Sequence, residues 1–279
     1  RTRTARGVVH VRPSTSDQRN VTVRGQERED CRLPVTGVND HVQPGEVDKQ
    51  AVNSAIGFYR GLNSYKSGPS ARGLPIASEA CFTLAEHLGR VERRVQALRE
   101  MDGSSDIDDE AIDFTRNGLS EAWETTRKTA VRQANAIGVA LHTELSRRDR
   151  CISPSDFGFH NALVDPEGHL RFIDFEYAGW DDPAKMVCDF FCQPAVPVPM
   201  DFYDKLVGSV VSGLDRPDEH SQRISLLMPV YQVKWCCIML NDFLPWGGDR
   251  RRFTRSGEGV QEKAEQLEKA RRALAGVTD

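Results

Sequence analysis

Apolar residues recur at helical spacing from Asp48 onward. Val52, Ala55, Ile56, Tyr59 and Leu62 fall on one face of a predicted helix. A second stripe (Phe82, Ala85, Leu88, Val91, Val95 and Leu98) predicts a helix from about Ser78, whose hydroxyl suits an N-cap. A third, from about Asp109 to Leu145, carries Ile112, Leu119, Trp123, Val131, Ile137 and Leu141. The stretch MDGSSDIDDE before it reads as an exposed acidic loop, and more helices are expected near 200–213, 221–243 and 257–275. These stripes are read as core rather than as binding grooves.

The period changes once, in the middle of the chain. NALV, the turn DPEG and HLRFIDFE, together 161–176, predict a β-hairpin. The fold class is therefore mainly α (α+β), a helical body with one hairpin inserted. Residues 36–279 form that body. Residues 1–35 stand apart, because the first 32 hold eight Arg, no Lys and few large apolar residues. Short strands around Val8–Val11 and Val21–Val23, or a disordered arm, are expected there.

Composition narrows the class only a little. At 279 residues, 39% hydrophobic and 28% charged, the chain has material for a core and a water-facing surface. A net charge of −4 gives no general reason to expect nucleic acid or an anionic membrane as a partner. No apolar run approaches the ~20 residues of a membrane span, and no hydrophobic centre of a signal peptide is present. The seven cysteines are irregularly spaced among apolar neighbours, so they read as reduced, buried thiols of a cytoplasmic protein.

Chemistry concentrates in SDFGFHNALVDPEGHLRFIDFE, 155–176. A hairpin makes its outer ends neighbours, so Asn161 and Asp174 share the open end, ~17–20 Å from the tip on strands ~5 Å apart. Asp156 lies five residues before Asn161, on the loop leading in. Carboxylate and amide oxygens are hard ligands that suit Mg²⁺ with phosphate. The literal Asp-Phe-Gly at 156–158 suggests the metal-binding aspartate of protein kinases, but a preceding D-x₄-N would need Asp and Asn where Gly138 and Thr143 stand. Reading Asp156 as the catalytic-loop residue instead puts Asp174 thirteen positions after Asn161, one hairpin later.

With these residues in place, SPSDFGFHNALVDPEGHLRFIDFEYAGWDDPAKMVCDF resembles the active-site stretch of the aminoglycoside phosphotransferase and choline-kinase-like superfamily. The resemblance implies a protein-kinase-like helical lobe with its catalytic loop and hairpin at 152–176, and the cofactors ATP and Mg²⁺. It implies Asp156 as base or orienter of an acceptor hydroxyl. Asn161 and Asp174 are implied as magnesium ligands bridging the ATP phosphates, with Leu163 and Ile173 on the floor of the adenine pocket. Asp182 or Asp189, in the D-P-A segment, is implied to cap or brace the catalytic loop.

Two departures stand out. Pro154 replaces the family's histidine two residues before the catalytic aspartate. Ser153 and Ser155 could brace the loop in its place, but read more simply as surface serines, and His160 reads as a packing group beside Asn161. The first lysine is Lys49, and Gly7, Gly25 and Gly37 are isolated, so neither the phosphate-clamping lysine nor a Gly-rich loop is in sight. An N-terminal lobe needs roughly 65–70 residues. The expectation is an N-lobe sheet missing or vestigial, with a truncated or misread start.

The expected partner is a small-molecule hydroxyl acceptor. Asp181, Asp182, Asp242 and Asp249 would suit a cationic one, while Trp235 and Asp242 read as ordinary residues of a C-terminal helix. A catalytically inactive nucleotide-binding relative is the competing reading, and a ligand-free helical scaffold the third.

Overall fold

The computed structural model describes residues 40–245 and 259–278; the expected arm over 1–35, Cys31 and Asp249 lie outside them. The described residues are mainly helical. Helix α1 (Lys49–Asn63) begins where the periodicity does, with the Asp48 carboxylate accepting the Ala51 amide at 2.8 Å. Val52, Ala55, Ile56 and Tyr59 are buried along it.

Helix α2 (Leu84–Arg99) starts later than Ser78 suggests. Thr83 is its cap, and Glu86 reaches back to the Thr83 amide in a capping box. Ser78 instead donates its amide to the Tyr177 carbonyl, in a turn that lies against the centre of the chain.

The expected helix over 109–145 is two helices, α3 (Asp106–Phe114) and α4 (Ser120–Ala136), joined by one π-helical turn at Thr115–Leu119. It ends well before Leu145: Gly138 takes φ +72 after the last turn, and Ile137 stands 40% exposed rather than in the core. The acidic stretch before it is not a bare loop either. Asp108 is buried, held by the hydroxyls of Ser104 and Ser105 and by Lys263.

Two small sheets sit at the middle of the helical body. The predicted hairpin forms as β3 (Ala162–Val164) and β4 (Leu170–Phe172), and β1 (Asp40–His41) adds a third antiparallel strand beside β3. The second sheet pairs β2 (Cys151–Ser153) with β5 (Gly179–Asp181), so the hairpin is bracketed by a ribbon absent from the sequence reading. Both β2 and β5 are fully buried and only three residues long, too short for alternation to show.

Helix α5 (Pro183–Cys192) follows β5 at once, capped by Asp182, and packs on α7 (Pro217–Met239), with α6 (Tyr203–Val211) beside both. The last helix, α8 (Gly259–Thr278), lies on α7 and α3. The segment Pro217–Phe243 is long and apolar enough to cross a membrane by length and composition, unlike anything the run-length reading picked out; 67% of its apolar window is buried in this fold. The six described cysteines are free thiols, five buried and Cys192 half-buried.

Candidate active site

The loop from β2 into the hairpin is fixed from both sides. Phe157 and Phe159 point into the core, where Phe157 lies 5.0 Å from Phe172 and 5.1 Å from Phe190, and Phe159 lies 5.4 Å from Phe190. The aromatic residue of the Asp-Phe-Gly is thus an anchor. Its neighbours in sequence, Asp156 and His160, are left on the outer side, and Asp156 is exposed.

Ser153 is fully buried, not a surface serine, and its hydroxyl accepts the Ser155 amide at 3.0 Å. Ser155 donates its own hydroxyl to the Ser78 carbonyl at 3.0 Å and takes φ +74. The two serines brace the loop on either side of Pro154.

Asp156 follows. Its Oδ1 accepts from His160 Nε2 at 3.0 Å, and its carbonyl accepts from the Asn161 amide nitrogen at 2.9 Å. The hydrogen bond from His160 outweighs partial burial and holds the Asp156 carboxyl below the usual range, so it is ionised at neutral pH. A Cβ on Gly158 would come within 2.6 Å of the His160 ring, so only glycine lets the imidazole fold back over the loop. His160 meets this loop through its contact with Asp156.

The hairpin then brings Asp174 to the same place. The Ile173 amide donates to the Asn161 carbonyl at 2.9 Å, one step beyond the last paired residues of β3 and β4. Because the Asn161 side-chain nitrogen is spent on the loop, its Oδ1 is the side-chain atom left to accept a further bond. Asp174 takes φ +65, and its carboxylate has no hydrogen-bond or ion-pair partner among the described residues. Non-glycine residues at positive φ are strained and gather at functional sites. The described residues hold four, Glu79, Ser155, Asp174 and Arg216, and the first three lie at or beside this loop.

Leu163 and Ile173 occupy the outer face of the three-stranded sheet. Leu163 pairs across to His41 and Arg171, and Ile173 is two residues beyond Arg171, while Ala162 and Phe172 face the core. Both are half-exposed, forming an apolar pad on the side away from the helices.

Neither Asp182 nor Asp189 braces the catalytic loop. Asp182 caps α5 through the Ala184 amide and accepts from His87 Nε2 and from Arg223, tying α2 and α7 to β5. Burial alone would raise its pKa, but the Arg223 charge and the hydrogen bond from His87 hold it far below the usual range. Asp189 accepts from Lys234 at 2.8 Å and from the Trp235 indole at 2.8 Å. Lys185 lies between Asp181 and Asp189, at 2.9 and 3.5 Å. These buried charges were invisible in sequence, where DDPAKMVCD shows no more than an apolar-charged mixture.

No protein-family model and no curated protein matches the sequence. Solved structures similar to this chain are kinases and a phosphotransferase. A choline/ethanolamine kinase family protein from Mesorhizobium loti is 13% identical over 86% of this chain and 71% of its own, with a TM-score of 0.48. The ethanolamine kinase of Plasmodium vivax is 11% identical over 82% of this chain, with a TM-score of 0.43, and this chain spans 61% of its length. An aminoglycoside phosphotransferase from Alicyclobacillus acidocaldarius is 13% identical over 82% of this chain and 65% of its own, with a TM-score of 0.39.

Proposed function

We propose that the chain carries the catalytic lobe of an ATP- and Mg²⁺-dependent phosphotransferase acting on a small-molecule hydroxyl. One observation carries this reading: Asp174, strained at φ +65 and without a partner, sits next to the bond that joins Ile173 to Asn161. A protein that needed only a stable hairpin would place glycine there.

The donor set fits magnesium. Asp174 offers two carboxylate oxygens and Asn161 its amide oxygen, all hard ligands with no competing nitrogen or sulfur. Asn161 and Asp174 would hold the ion, which would supply positive charge to offset that of the phosphates. Asp156 orients the acceptor hydroxyl and takes its proton as the new oxygen–phosphorus bond forms and the β–γ bridging oxygen leaves with ADP. His160 holds the carboxylate in place and ionised. Leu163 and Ile173 supply the apolar pad for adenine.

The test is transfer of phosphate from Mg·ATP to a panel of hydroxyl compounds, read by mass spectrometry of the products. Asp156→Asn should lower turnover by about 10²-fold or more, the range for a lost acid–base group. Mg·ATP binding without transfer to any acceptor would favour the competing reading, an inactive nucleotide-binding relative, which the exposed position of Lys49 at the start of α1 also suits.

A further inference from the structure

The turn that receives the Ser155 hydroxyl opens onto a second hollow, of about 220 Å³. One wall is a face of α2: Arg90, Arg93 and Arg94 follow at i, i+3 and i+4. Asn241 and Leu244, past the end of α7, form the opposite side. Glu79, the residue after Ser78, closes the end nearest the catalytic loop.

The charges in this lining do not balance. Three guanidiniums face one carboxylate. Glu79 bonds Arg94 and lies 3.6 Å from Arg90. Lys234 also approaches Glu79, at 3.8 Å, but is taken up by Asp189 at 2.8 Å. Burial would raise the Glu79 pKa; Arg94, Lys234 and Arg90 outweigh it and keep the carboxylate ionised.

Two further observations separate this face from an ordinary solvated helix surface. The Nε of Arg94 is buried without a hydrogen-bond partner, a donor left unused in the wall. Glu79 takes φ +56, and such strain in a non-glycine residue belongs to functional sites.

Two of the acidic residues that would suit a cationic acceptor are closed to it. Asp181 and Asp182 are fully buried, the first bonded to Lys185 and the second to Arg223 and His87. Arg93 is exposed at this hollow, whereas the exposed carboxylates Asp156 and Glu176 lie on the catalytic loop and at the end of the hairpin.

We infer that this hollow binds the far end of the acceptor, and that the acceptor is a small hydroxyl compound bearing one carboxylate or phosphate group. The inference rests on the phosphotransferase reading of Asp156, Asn161 and Asp174. Guanidiniums bind both kinds of anion through paired hydrogen bonds. The hollow, about 220 Å³ and open to solvent, has room for the anionic group of a small metabolite. Anchored here, the acceptor abuts the turn whose carbonyl fixes Ser155, the residue before Asp156.

The experiment uses the full chain with 3-hydroxybutyrate, glycerol 3-phosphate, glycerol and choline. Each is titrated calorimetrically without nucleotide and assayed as acceptor with Mg·ATP, for the native chain and for Arg93→Ala, a change at an exposed position. One of the two anions should bind and be phosphorylated at least tenfold better than glycerol and choline, and the winner separates carboxylate from phosphate. Arg93→Ala should raise the KM of that anion tenfold or more and leave the KM of ATP unchanged.

Preference for choline, or a rise in the KM of ATP in Arg93→Ala, would overturn the inference; the latter would make the arginines nucleotide contacts. Binding of Mg·ATP with no binding of either anion would also overturn it, while leaving the phosphotransferase reading intact. Anion binding lost in Arg93→Ala, in a chain that binds no Mg·ATP, would uphold the hollow as an anion site and remove the phosphotransferase reading.

Discussion

The Ser155 hydroxyl donates to the Ser78 carbonyl at 3.0 Å, joining turns 77 positions apart. Ser155 holds this bond at φ +74, so the loop carrying Asp156 is at once braced and strained. Ser155→Ala loses the bond and keeps the strain, and should cost about 1–2 kcal/mol. Ser155→Gly loses the same bond but relieves the backbone, and should cost less. Urea midpoints of the two variants give the comparison. A glycine variant less stable than the alanine variant would contradict the strained loop.

Asp174 sets stability against function. Its side chain makes no bond among the described residues, and its φ of +65 suits glycine. Asp174→Gly should leave stability unchanged or raise it by up to about 1 kcal/mol, because relief of the left-handed conformation offsets the added freedom of the unfolded chain. A loss above about 1 kcal/mol in denaturant titration would show that Asp174 is structural.

The acid limb of stability should report on Asp108. Burial would raise its pKa, but Lys263 and the hydroxyls of Ser105 and Ser104 bring it from 3.8 to about 2. The unfolded carboxylate therefore binds protons more tightly than the folded one. The contribution is whole above about pH 4, is lost as pH falls through 2, and amounts to about 2 kcal/mol. Lys263→Ala should flatten the pH dependence of stability between those limits, since Lys263 on α8 is the charged partner of Asp108. An unchanged slope would assign the acid transition to other carboxylates.

Gly179 is where β5 passes closest to its neighbour. A Cβ there would meet the Pro75 carbonyl at 2.3 Å and the Ala77 amide at 2.7 Å, both backbone atoms that cannot swing aside. Gly179→Ala should cost about 3 kcal/mol and shift the turn at Ser78 with it. Thermal unfolding checks the cost, and a wild-type midpoint would mean that the 75–77 segment gives way freely.

Helices with long stripes were legible in the sequence. Asp48, the Val52–Tyr59 face and the hairpin follow from period and turn chemistry, whereas Leu163 and Ile173 came from the family resemblance. The capping box at Thr83 was also there to read, in TLAE, but Ser78 came first along the chain. What stayed hidden depends on contacts distant in sequence. Strands β2 and β5 are three residues each and pair across the chain, Ile152 with Trp180 28 positions on, with no local periodicity to betray them. Ser153 looks like any loop serine until β5 buries it. Asp182 and Asp189 carry a family expectation of bracing the loop, and only the placement of His87, Arg223 and Lys234 shows that they bind helices instead. Glu79 and its arginines gave no motif, because their shared hollow is built from α2 and the end of α7.

Asn161 and Asp174 are proposed to hold a magnesium-bound nucleotide. Calorimetric titration with Mg·ATP, for the native chain and Asp174→Ala side by side, tests it most directly. Saturable binding that requires magnesium and disappears in Asp174→Ala is the predicted result. Binding of equal strength in the two chains, or none by a folded native chain, would contradict it.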